Sequence, residues 1–580
     1  MASSTTAQSS ELSPRRAVLT AFDPGTLGVW GMLAAMAAIV VPPFYYLVET
    51  SLTITKTGAP AARGFDNFAT VISLGGWDLW QTTLIYAAGS SVVAILLGVS
   101  SAWLVARTNA PFRQAAFVGA FLSLAAPVII KGIGWILLLG PNSGVINLWL
   151  KAAFSLTEAP IDLYTLGGMI FIEGVLWTPV VFLLTLAPLS AMDPSLEEAA
   201  AMSGARLRET LWRVTLPLAW PSILAVLLLT FIRSLESFEV PLLIGVPGGM
   251  QTFTTVIYQS INTGFLPKYG EASAYAVLLL IAVAIPLIFY YRATRETRRY
   301  ATVTGKGFRP QRIDLGGWKW PCGIWLLIIP VSLAAPLLIM LWASFLPLYT
   351  VPSLADFGRM SLTNYMSVWA REDTVGGLWN STLIATASAT AVAVVTFLAA
   401  WLVVRRQEAI RWLIDFTVSL PLVFPGIVLG IAILIQFLHL RWIPIYGTIW
   451  ILVFAFLLKF MPYGMRFCYS GILSIHKELE ESARVSGART LKILTAVVLP
   501  LTLPAVIAVW LYVFLHTIRD LSISILLSGP QNQVVSVVIL DLWDNGEVPE
   551  LAALSVLLAV GVTILGIVFM RLSRRYQFTG

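Results

Sequence analysis

Two short segments of this chain place ionisable side chains inside long apolar runs, where such groups are rare. The first segment contains Glu236 and Glu239, and the second contains Arg519 and Asp520. An ionisable side chain at the centre of a bilayer costs roughly 2.5–3.5 kcal/mol on insertion scales, so each of the four is a functional candidate. Their chemistry suits binding or gating of a charged solute, because carboxylates and a guanidinium attract opposite charge.

The two segments correspond at a constant offset of 283 residues, which aligns Glu236 with Arg519. Opposite charges at equivalent positions can meet near a shared axis. We therefore hypothesise that Glu236, Glu239, Arg519 and Asp520 line a translocation pathway or its gate. A structural ion pair that never meets a solute is the alternative, and the sequence leaves it open.

Four more ionisable residues lie within or near the apolar runs. Lys459 and Arg466 fall toward the inner half of their run, where a long side chain can reach the interface. The sequence assigns no role to Lys131 or Glu173.

The same offset relates two polar stretches that lie between apolar runs. Residues 196–221 read LEEAAAMSGARLRETLWRVTLPLAWP, and residues 479–504 read LEESARVSGARTLKILTAVVLPLTLP. Fourteen of the 26 aligned positions are identical, where roughly two are expected by chance from average residue usage. A polar element duplicated in an apolar chain indicates contact with something in water.

The elements that must position these residues are membrane-spanning helices. The chain has 580 residues, of which 58% are hydrophobic and 12% charged, whereas a soluble domain carries about 25% charged residues. Runs of about 20 apolar residues recur, each long enough to cross a bilayer as a helix. The sequence therefore predicts an all-α polytopic membrane protein with about twelve spans. We place them near residues 27–49, 79–106, 115–140, 164–190, 215–242, 273–292, 321–346, 377–404, 412–438, 447–471, 497–527 and 551–570.

Lysine and arginine in the loops set the orientation, because cytoplasmic loops carry an excess of these residues. With the N-terminus inside, the inner segments hold 25 of them and the outer loops only 7. Both polar repeats and both termini are therefore predicted to be cytoplasmic. We divide the chain into a tail at 1–26, a first half at 27–292, a basic linker at 293–319 and a second half at 320–580. Six spans in each half make the halves parallel, pseudo-symmetric repeats with a pathway between them.

Each polar repeat predicts a short helical hairpin on the cytoplasmic face, at about 193–213 and 476–496. In the first copy, Asp193 suits the helix N-cap and Pro194 suits the first turn. The second copy has His476 and Lys477 in these places, so its cap is weaker and the two hairpins need not be equivalent. An ordinary amphipathic loop is the alternative, which the duplication makes a poor explanation.

The pattern of these repeats resembles the EAA signature of ABC-importer permeases. The first copy matches it as Glu198-Ala199-Ala200, Gly204, Val214 and Leu216-Pro217, and the second as Glu481-Ser482-Ala483, Gly487, Val497 and Leu499-Pro500. In that family the hairpin is a coupling helix that docks in a groove of a cytosolic ATPase. The resemblance implies the type I ABC-importer permease fold. It also implies ATPase-coupling roles for eight residues: Glu197, Glu198, Gly204, Arg206, Glu480, Glu481, Gly487 and Arg489.

The resemblance implies partners as well. The chain has no GxxxxGK[ST] loop to cradle phosphates, so the chain is not expected to be an enzyme. ATP and magnesium are expected on two copies of a separate ATPase subunit, with no cofactor in this chain. A periplasmic substrate-binding protein and the lipid bilayer are the other expected partners, and nucleic acid is not. The expected location is the bacterial inner membrane.

The fused arrangement is most similar to ferric-iron importer permeases. Segments that carry this likeness include Glu236 to Pro241 and Met461 to Arg466. Thiamine, phosphonate and polyamine permeases of the same branch remain alternatives, since the binding protein makes most of the selection. No catalytic residues and no metal-binding cluster are predicted, because His439, His476 and His516 are scattered. An ion-coupled secondary transporter and a membrane enzyme are the competing classes, and neither requires duplicated coupling helices.

Overall fold

The structure is a computed structural model that describes residues 24–54, 62–73, 76–193, 195–297, 312–405 and 411–577. Most of the predicted tail at 1–26, Pro194 and most of the linker at 293–319 lie outside the described residues. The one sheet in the described part of the chain is a two-stranded antiparallel pair, β1 (Thr53–Ile54) and β2 (Ala62–Arg63). Everything else that is regular is helical, which confirms the predicted fold class.

The first half contains twelve α-helices, several of them short. They are α1 (Pro24–Ser51), α2 (Asp66–Ser73), α3 (Gly76–Arg107), α4 (Arg113–Ser123), α5 (Val128–Leu139), α6 (Val145–Phe154), α7 (Leu166–Ala191), α8 (Ser195–Met202), α9 (Leu207–Thr210), α10 (Leu216–Glu236), α11 (Phe253–Asn262) and α12 (Tyr269–Thr297).

The second half follows the same order. Its helices are α13 (Lys319–Leu326), α14 (Ile328–Ser344), α15 (Thr363–Ala370), α16 (Glu372–Arg405), α17 (Arg411–Ser419), α18 (Gly426–His439), α19 (Ile449–Leu473), α20 (Lys477–Val485), α21 (Thr490–Ile493), α22 (Leu499–Ile518), α23 (Ser524–Leu527), α24 (Val535–Asp544) and α25 (Val548–Gln577). Short 3₁₀ turns at Gly316–Trp318, Leu354–Arg359 and Leu420–Val423 and π turns at Leu211–Thr215, Pro241–Gly245 and Leu494–Val498 complete the described elements.

Ten helices in the described residues are long and apolar enough to cross a membrane, and twelve spans result if each of two bent pairs counts as one. The bent pairs correct two of the predicted spans. The helix expected at 115–140 bends by 118° between α4 and α5, and the one expected at 412–438 bends by 107° before α18. Pro127 and Pro425 stand at the two breaks with extended backbone. A proline lacks the amide donor and disfavours helix in the preceding residue, so a break is expected there.

The fifth and eleventh spans are also shorter than expected at their outer ends. Helix α10 ends at Glu236 and α22 at Ile518, so the charged segments lie at helix ends and not within a continuous span. At their inner ends both helices join the polar hairpins without a break, through π turns at Leu211–Thr215 and Leu494–Val498. A π turn places Pro217 and Pro500 where no amide donor is needed, which explains why the chain stays helical.

The two halves exchange their first spans. Helix α1 of the first half packs against α17 and α18 of the second half, and α14 packs against α4 and α5 of the first. Glycines allow this close approach, because a Cβ atom on Gly134 would lie 2.6 Å from the Cβ of Pro336. Small residues at helix contacts are the usual device in membranes, where close packing drives association. The exchange places both broken spans at the interface between the halves.

Candidate functional site

The two polar hairpins have the same backbone path. Helix α8 turns at Gly204 with φ of 82°, and α20 turns at Gly487 with φ of 84°. An L-residue is strained at such φ values, which accounts for glycine at both bends. Apart from the glycine and its two chain neighbours, no atom of the described residues lies within 4 Å of the position that a Cβ would take at either bend. Both bends therefore leave open space at which another backbone can approach.

The caps of the two hairpins differ as the sequence predicted. The Ser195 amide donates to Oδ1 of Asp193 at 2.9 Å, which closes the first turn of α8. That backbone hydrogen bond lowers the pKa of Asp193. His476 precedes α20 without a side-chain cap bond. In addition, the Arg206 amide donates to Glu209 Oε2 at 3.1 Å in the first copy, and Lys492 occupies the equivalent place in the second.

A largely buried arginine holds the second hairpin to the spans. Nε of Arg405, at the inner end of α16, lies 2.5 Å from Glu480 Oε1. Trp401 Nε1 donates to Glu480 Oε2 at 3.2 Å, and Arg405 Nη2 donates to the Ile475 carbonyl at 3.0 Å. We call these four residues the second clamp. It joins the hairpin to α16 and to the end of α19.

The first half has the corresponding clamp in a looser form. Arg107 Nη2 donates to the Met192 carbonyl at 2.8 Å, while Arg107 Nε lies 3.8 Å from Glu197 Oε2. Glu197 Oε1 instead accepts a hydrogen bond from the Thr215 hydroxyl at 2.6 Å. Arg107 Nε and Nη1 have no hydrogen-bond partner among the described residues, and neither has Nε1 of Trp103, the counterpart of Trp401. Arg107 is 1% exposed all the same.

The C-terminal part of the basic linker hydrogen-bonds to the chain beside the first clamp. The Ile313 amide donates to the Arg107 carbonyl at 2.8 Å, and the Asn109 amide donates to the Ile313 carbonyl at 3.2 Å. The Asn109 side chain then donates to Asp314 Oδ1 at 2.6 Å. This strap joins the C-terminal end of α3 to the start of the second half by backbone and side-chain hydrogen bonds.

The clamps change the interpretation of the predicted coupling residues. Glu197 is 9% exposed and Glu480 is 4% exposed, so both carboxylates face their own chain and position the hairpin. Glu198, Arg206, Glu481 and Arg489 are exposed, with Gly204 and Gly487 beside them. Of the eight predicted coupling residues, only these six exposed ones are available to a partner in this structure.

Sequence reasoning missed two exposed apolar residues of the hairpins and the two clamp arginines. Met202 is 92% exposed and Val485 is 90% exposed, each immediately before the Ser-Gly bend. They align at the offset of 283, so the repetition of an apolar residue before the bend could have revealed them in the sequence. Apolar side chains with so large an exposed fraction are suited to a pocket of another protein. Arg107 and Arg405 could be read only as loop charges, since their partners lie about 75–90 residues away in sequence.

The expected contact between Glu236 and Arg519 is absent. Glu236 Oε2 instead pairs with Arg233 Nη1 at 2.8 Å, one helical turn earlier. Arg233 Nη2 also donates to the Tyr463 hydroxyl at 2.5 Å, which connects the first half with the second. A partner at i−3 on the same helix is always within reach, and this local pair has displaced the long-range one.

Asp520 makes an ion pair with Lys459 and also accepts the Ile523 amide at 3.0 Å. Lys459 therefore does not extend to the interface as its position suggested, whereas Arg466 is exposed. Arg519 Nη1 donates to the Leu124 carbonyl in the opposite half. No cation lies within ion-pair distance of Glu239 in the described part of the chain.

Lys131 and Glu173, which had no assigned role, are buried next to this group. Lys131 Nζ donates to the Ser123 carbonyl at 3.2 Å, and Glu173 accepts from Trp177 Nε1 at 2.9 Å. With the four predicted residues, Arg233 and Lys459, they form what we call the charged belt. It contains four cations and four carboxylates: Lys131, Arg233, Lys459, Arg519, Glu173, Glu236, Glu239 and Asp520. The described residues contain no group of three or more metal-ligating side chains that could hold a metal ion.

Comparison with known proteins gives one family. The family described as "Binding-protein-dependent transport system inner membrane component" matches residues 94–299 and 392–577, which are together about two thirds of the chain. One matched segment falls in each predicted half, and each contains one hairpin and its clamp glutamate.

Three relatives illustrate the range. The ferric transport system permease protein FbpB of Actinobacillus pleuropneumoniae is 25% identical over 530 residues, which are 89% of this chain and 74% of the relative. The Fe(3+)-transport system permease protein FbpB 2 of Haemophilus influenzae is 22% identical over 484 residues, covering 82% and 85%. The putrescine transport system permease protein PotI of Escherichia coli is 29% identical over 205 residues, covering 34% and 72%.

The second clamp predicts unequal effects of two neighbouring substitutions. Glu480→Gln leaves Arg405 buried without a countercharge, a loss worth about 3–5 kcal/mol for a buried pair. We expect a clearly lower unfolding midpoint in nanodiscs. Glu481→Gln is the matched control, because its ion pair with Lys477 is exposed and such pairs contribute about 0–1 kcal/mol. Equal shifts for the two variants would contradict the clamp.

The caps predict a difference between the hairpins in hydrogen exchange. Asp193→Ala should speed amide exchange in residues 195–202, whereas His476→Ala should leave residues 477–485 unchanged. Because the folded pKa of Asp193 is lowered, its cap persists at neutral pH and is lost as pH falls through that pKa. Acidification should therefore loosen the first hairpin in the wild type but have no further effect in Asp193→Ala. A pH response that survives this substitution would disprove the role of the cap.

Proposed function

This chain belongs to the family of binding-protein-dependent transport system inner membrane components, and from that premise we propose that it imports ferric iron. In this proposal the chain is the fused permease of an ABC importer. A periplasmic binding protein delivers the iron, and hydrolysis of ATP by a separate subunit drives its passage into the cytoplasm.

The observation that carries the permease role is the pair of equivalent cytoplasmic hairpins. Each is held to its half by a clamp and presents an apolar side chain that is at least 90% exposed beside its bend, Met202 or Val485. A surface repeated in this way suits two copies of one partner, because each copy meets the same chemistry. We assign these surfaces to two ATPase subunits, with ATP and magnesium bound there and no cofactor in this chain.

In this arrangement a clamp converts movement of the hairpin into movement of spans. Arg405 ties Glu480 to α16 and to the end of α19. When the ATPase subunits close, the hairpins are displaced together with these helices, and the interface between the halves changes. The charged belt lies at that interface, so we place the gate there. Both termini are assigned to the cytoplasm, and the outer loops at 50–78 and 347–376 to docking of the binding protein.

Ferric iron is the cargo that we favour. Relatives named as ferric transport permeases align with 82–89% of this chain. Glu239, which has no cation within ion-pair distance among the described residues, and Asp520 can attract a hard cation, which prefers oxygen ligands. A site that binds the cation only weakly is suited to a translocation pathway, because strong binding would prevent release of the cation.

A polyamine is the second candidate. The putrescine permease PotI is 29% identical over 205 residues, and carboxylates attract an ammonium as readily as a metal cation. Thiamine and phosphonates have no corresponding relative among the three named, and an anionic phosphonate would be repelled by Glu239.

The hairpin surfaces predict the first test. Met202→Glu and Val485→Glu should each reduce co-purification of the ATPase at least ten-fold, because a charge in an apolar pocket costs a few kcal/mol. The permease itself should keep its unfolding midpoint, since both side chains are exposed. Glu478→Ala, an exposed change elsewhere on α20, serves as the control. Normal association of both variants would refute these docking surfaces.

Uptake measurements test the cargo. The chain, its ATPase and each candidate binding protein are reconstituted in proteoliposomes with radiolabelled ferric iron or putrescine. We expect ATP-dependent uptake of iron only with an iron-loaded binding protein, and competition by unlabelled iron but not by putrescine. Uptake of putrescine alone would favour the second candidate, and uptake driven by an ion gradient without ATP would overturn the importer assignment.

A further inference from the structure

The break in the first-half broken span leaves two carbonyl groups without helical partners. The carbonyl of Ser123 would bond to the amide of residue 127 in a continuous helix, but that residue is Pro127 and has no amide hydrogen. The Leu124 carbonyl also lacks a helical hydrogen-bond partner, because the chain turns away toward α5. Unpaired carbonyls at membrane depth cost several kcal/mol each, so they require another donor.

Two cations supply the donors. Lys131 Nζ, from α5 in the same half, donates to the Ser123 carbonyl at 3.2 Å and lies 3.4 Å from the Ser123 hydroxyl. Arg519 Nη1, from the end of α22 in the second half, donates to the Leu124 carbonyl. Cations at a helix C-terminus also interact favourably with the helix dipole. The Lys131 cap therefore belongs to the broken span itself, whereas the Arg519 cap comes from the other half across the interface.

The second-half broken span is held differently. Its break contains Phe424, whose ring stacks on Phe44 of α1 with centroids 3.5 Å apart. The repeat pattern places Leu429 where the first half has Lys131, and Glu236 where the second half has Arg519. A carboxylate cannot donate to a carbonyl, so Glu236 cannot make the reciprocal contact and pairs with Arg233 instead. The cross-half cation bond is therefore one-sided.

We propose that Arg519 is a positioning residue that latches the second half onto the first-half broken span, with Lys131 as the fixed cap. Residues 113–139 are then the element that moves when the pathway opens. The proposal rests on the proposed import function and specifies how its gate is held. Separation of the halves breaks the Arg519 bond, whereas the Lys131 bond moves with α5.

The latch predicts activity without the binding protein. In the reconstituted complex, Arg519→Gln should raise basal ATPase activity about ten-fold, the change expected when one charged hydrogen bond no longer favours the closed arrangement. Arg519→Lys keeps a cationic donor and should restore much of the control. A merely structural role would lower activity in both variants and would show no rescue by lysine. Arg441→Gln, an exposed change in an outer loop, is the control.

Hydrogen exchange at the break gives a second measurement that does not depend on cargo. Arg519→Gln and Lys131→Met should each speed amide exchange in residues 122–131, with no change at residues 424–430. Unchanged exchange together with unchanged basal ATPase activity in Arg519→Gln would overturn the latch. If Arg519→Gln does not assemble, exchange and basal ATPase activity are measured in Arg519→Met, which removes the same donor, and the same outcomes decide.

The wild-type complex separates this proposal from the proposed function. A wild type that neither hydrolyses ATP in response to a binding protein nor takes up cargo defeats the import function, whatever the variants do in exchange. A functioning wild type with an unaltered Arg519→Gln variant defeats the latch alone.

Discussion

One largely buried ion pair in each half fixes the relation between its polar hairpin and the spans. Removing the charge of Glu480 would leave Arg405 desolvated and unpaired, which costs far more than the pair itself contributes. The hairpin therefore cannot swing freely on its glycine bend, although Gly487 would permit it. Force applied at Val485 is passed to α16 through Arg405 and to α19 through the Ile475 carbonyl. The clamp makes the hairpin a rigid extension of the membrane domain.

Prolines determine where the spans can bend. Where a proline breaks a span, charged side chains can stabilise the backbone carbonyls that the break leaves unpaired. Pro217 and Pro500 follow π turns and leave their helices continuous, so movement of the hairpin reaches the spans without loss. Pro127 and Pro425 instead break their spans, and both breaks lie at the interface between the halves. Lysine and arginine bind the carbonyls of one break, whereas aromatic stacking covers the other. The interface can thus rearrange at two defined points while the spans on either side stay rigid.

The sequence was enough to predict the features that repeat between the halves, but it could not predict contacts between residues that are far apart in the chain. Duplication, hydropathy and loop charge were enough for the helical class, the two bends at Gly204 and Gly487, and the better cap at Asp193. They could not show that Glu197 and Glu480 face inward, because identical Glu-Glu pairs contain one buried and one exposed member. Helical periodicity placed Arg233 within reach of Glu236, one turn earlier, but it could not show that Arg519 lies too far away to compete, since both partners carry the right charge. Those choices depend on distances that only the packed helices define.

The differences between the halves point to a division of labour within an approximately symmetric frame. The first hairpin has the stronger cap at Asp193, but its clamp is looser, with 3.8 Å between Arg107 and Glu197. The second hairpin lacks that cap and has the tighter clamp at 2.5 Å. The strap at Ile313 hydrogen-bonds to the Arg107 carbonyl and so ties the loosely clamped half to the linker. In the proposed latch, the loosely clamped half also contains the break that Arg519 holds, so we expect displacement of its hairpin to meet less resistance at the clamp and more at the gate. We therefore expect this half to move after the tightly clamped half.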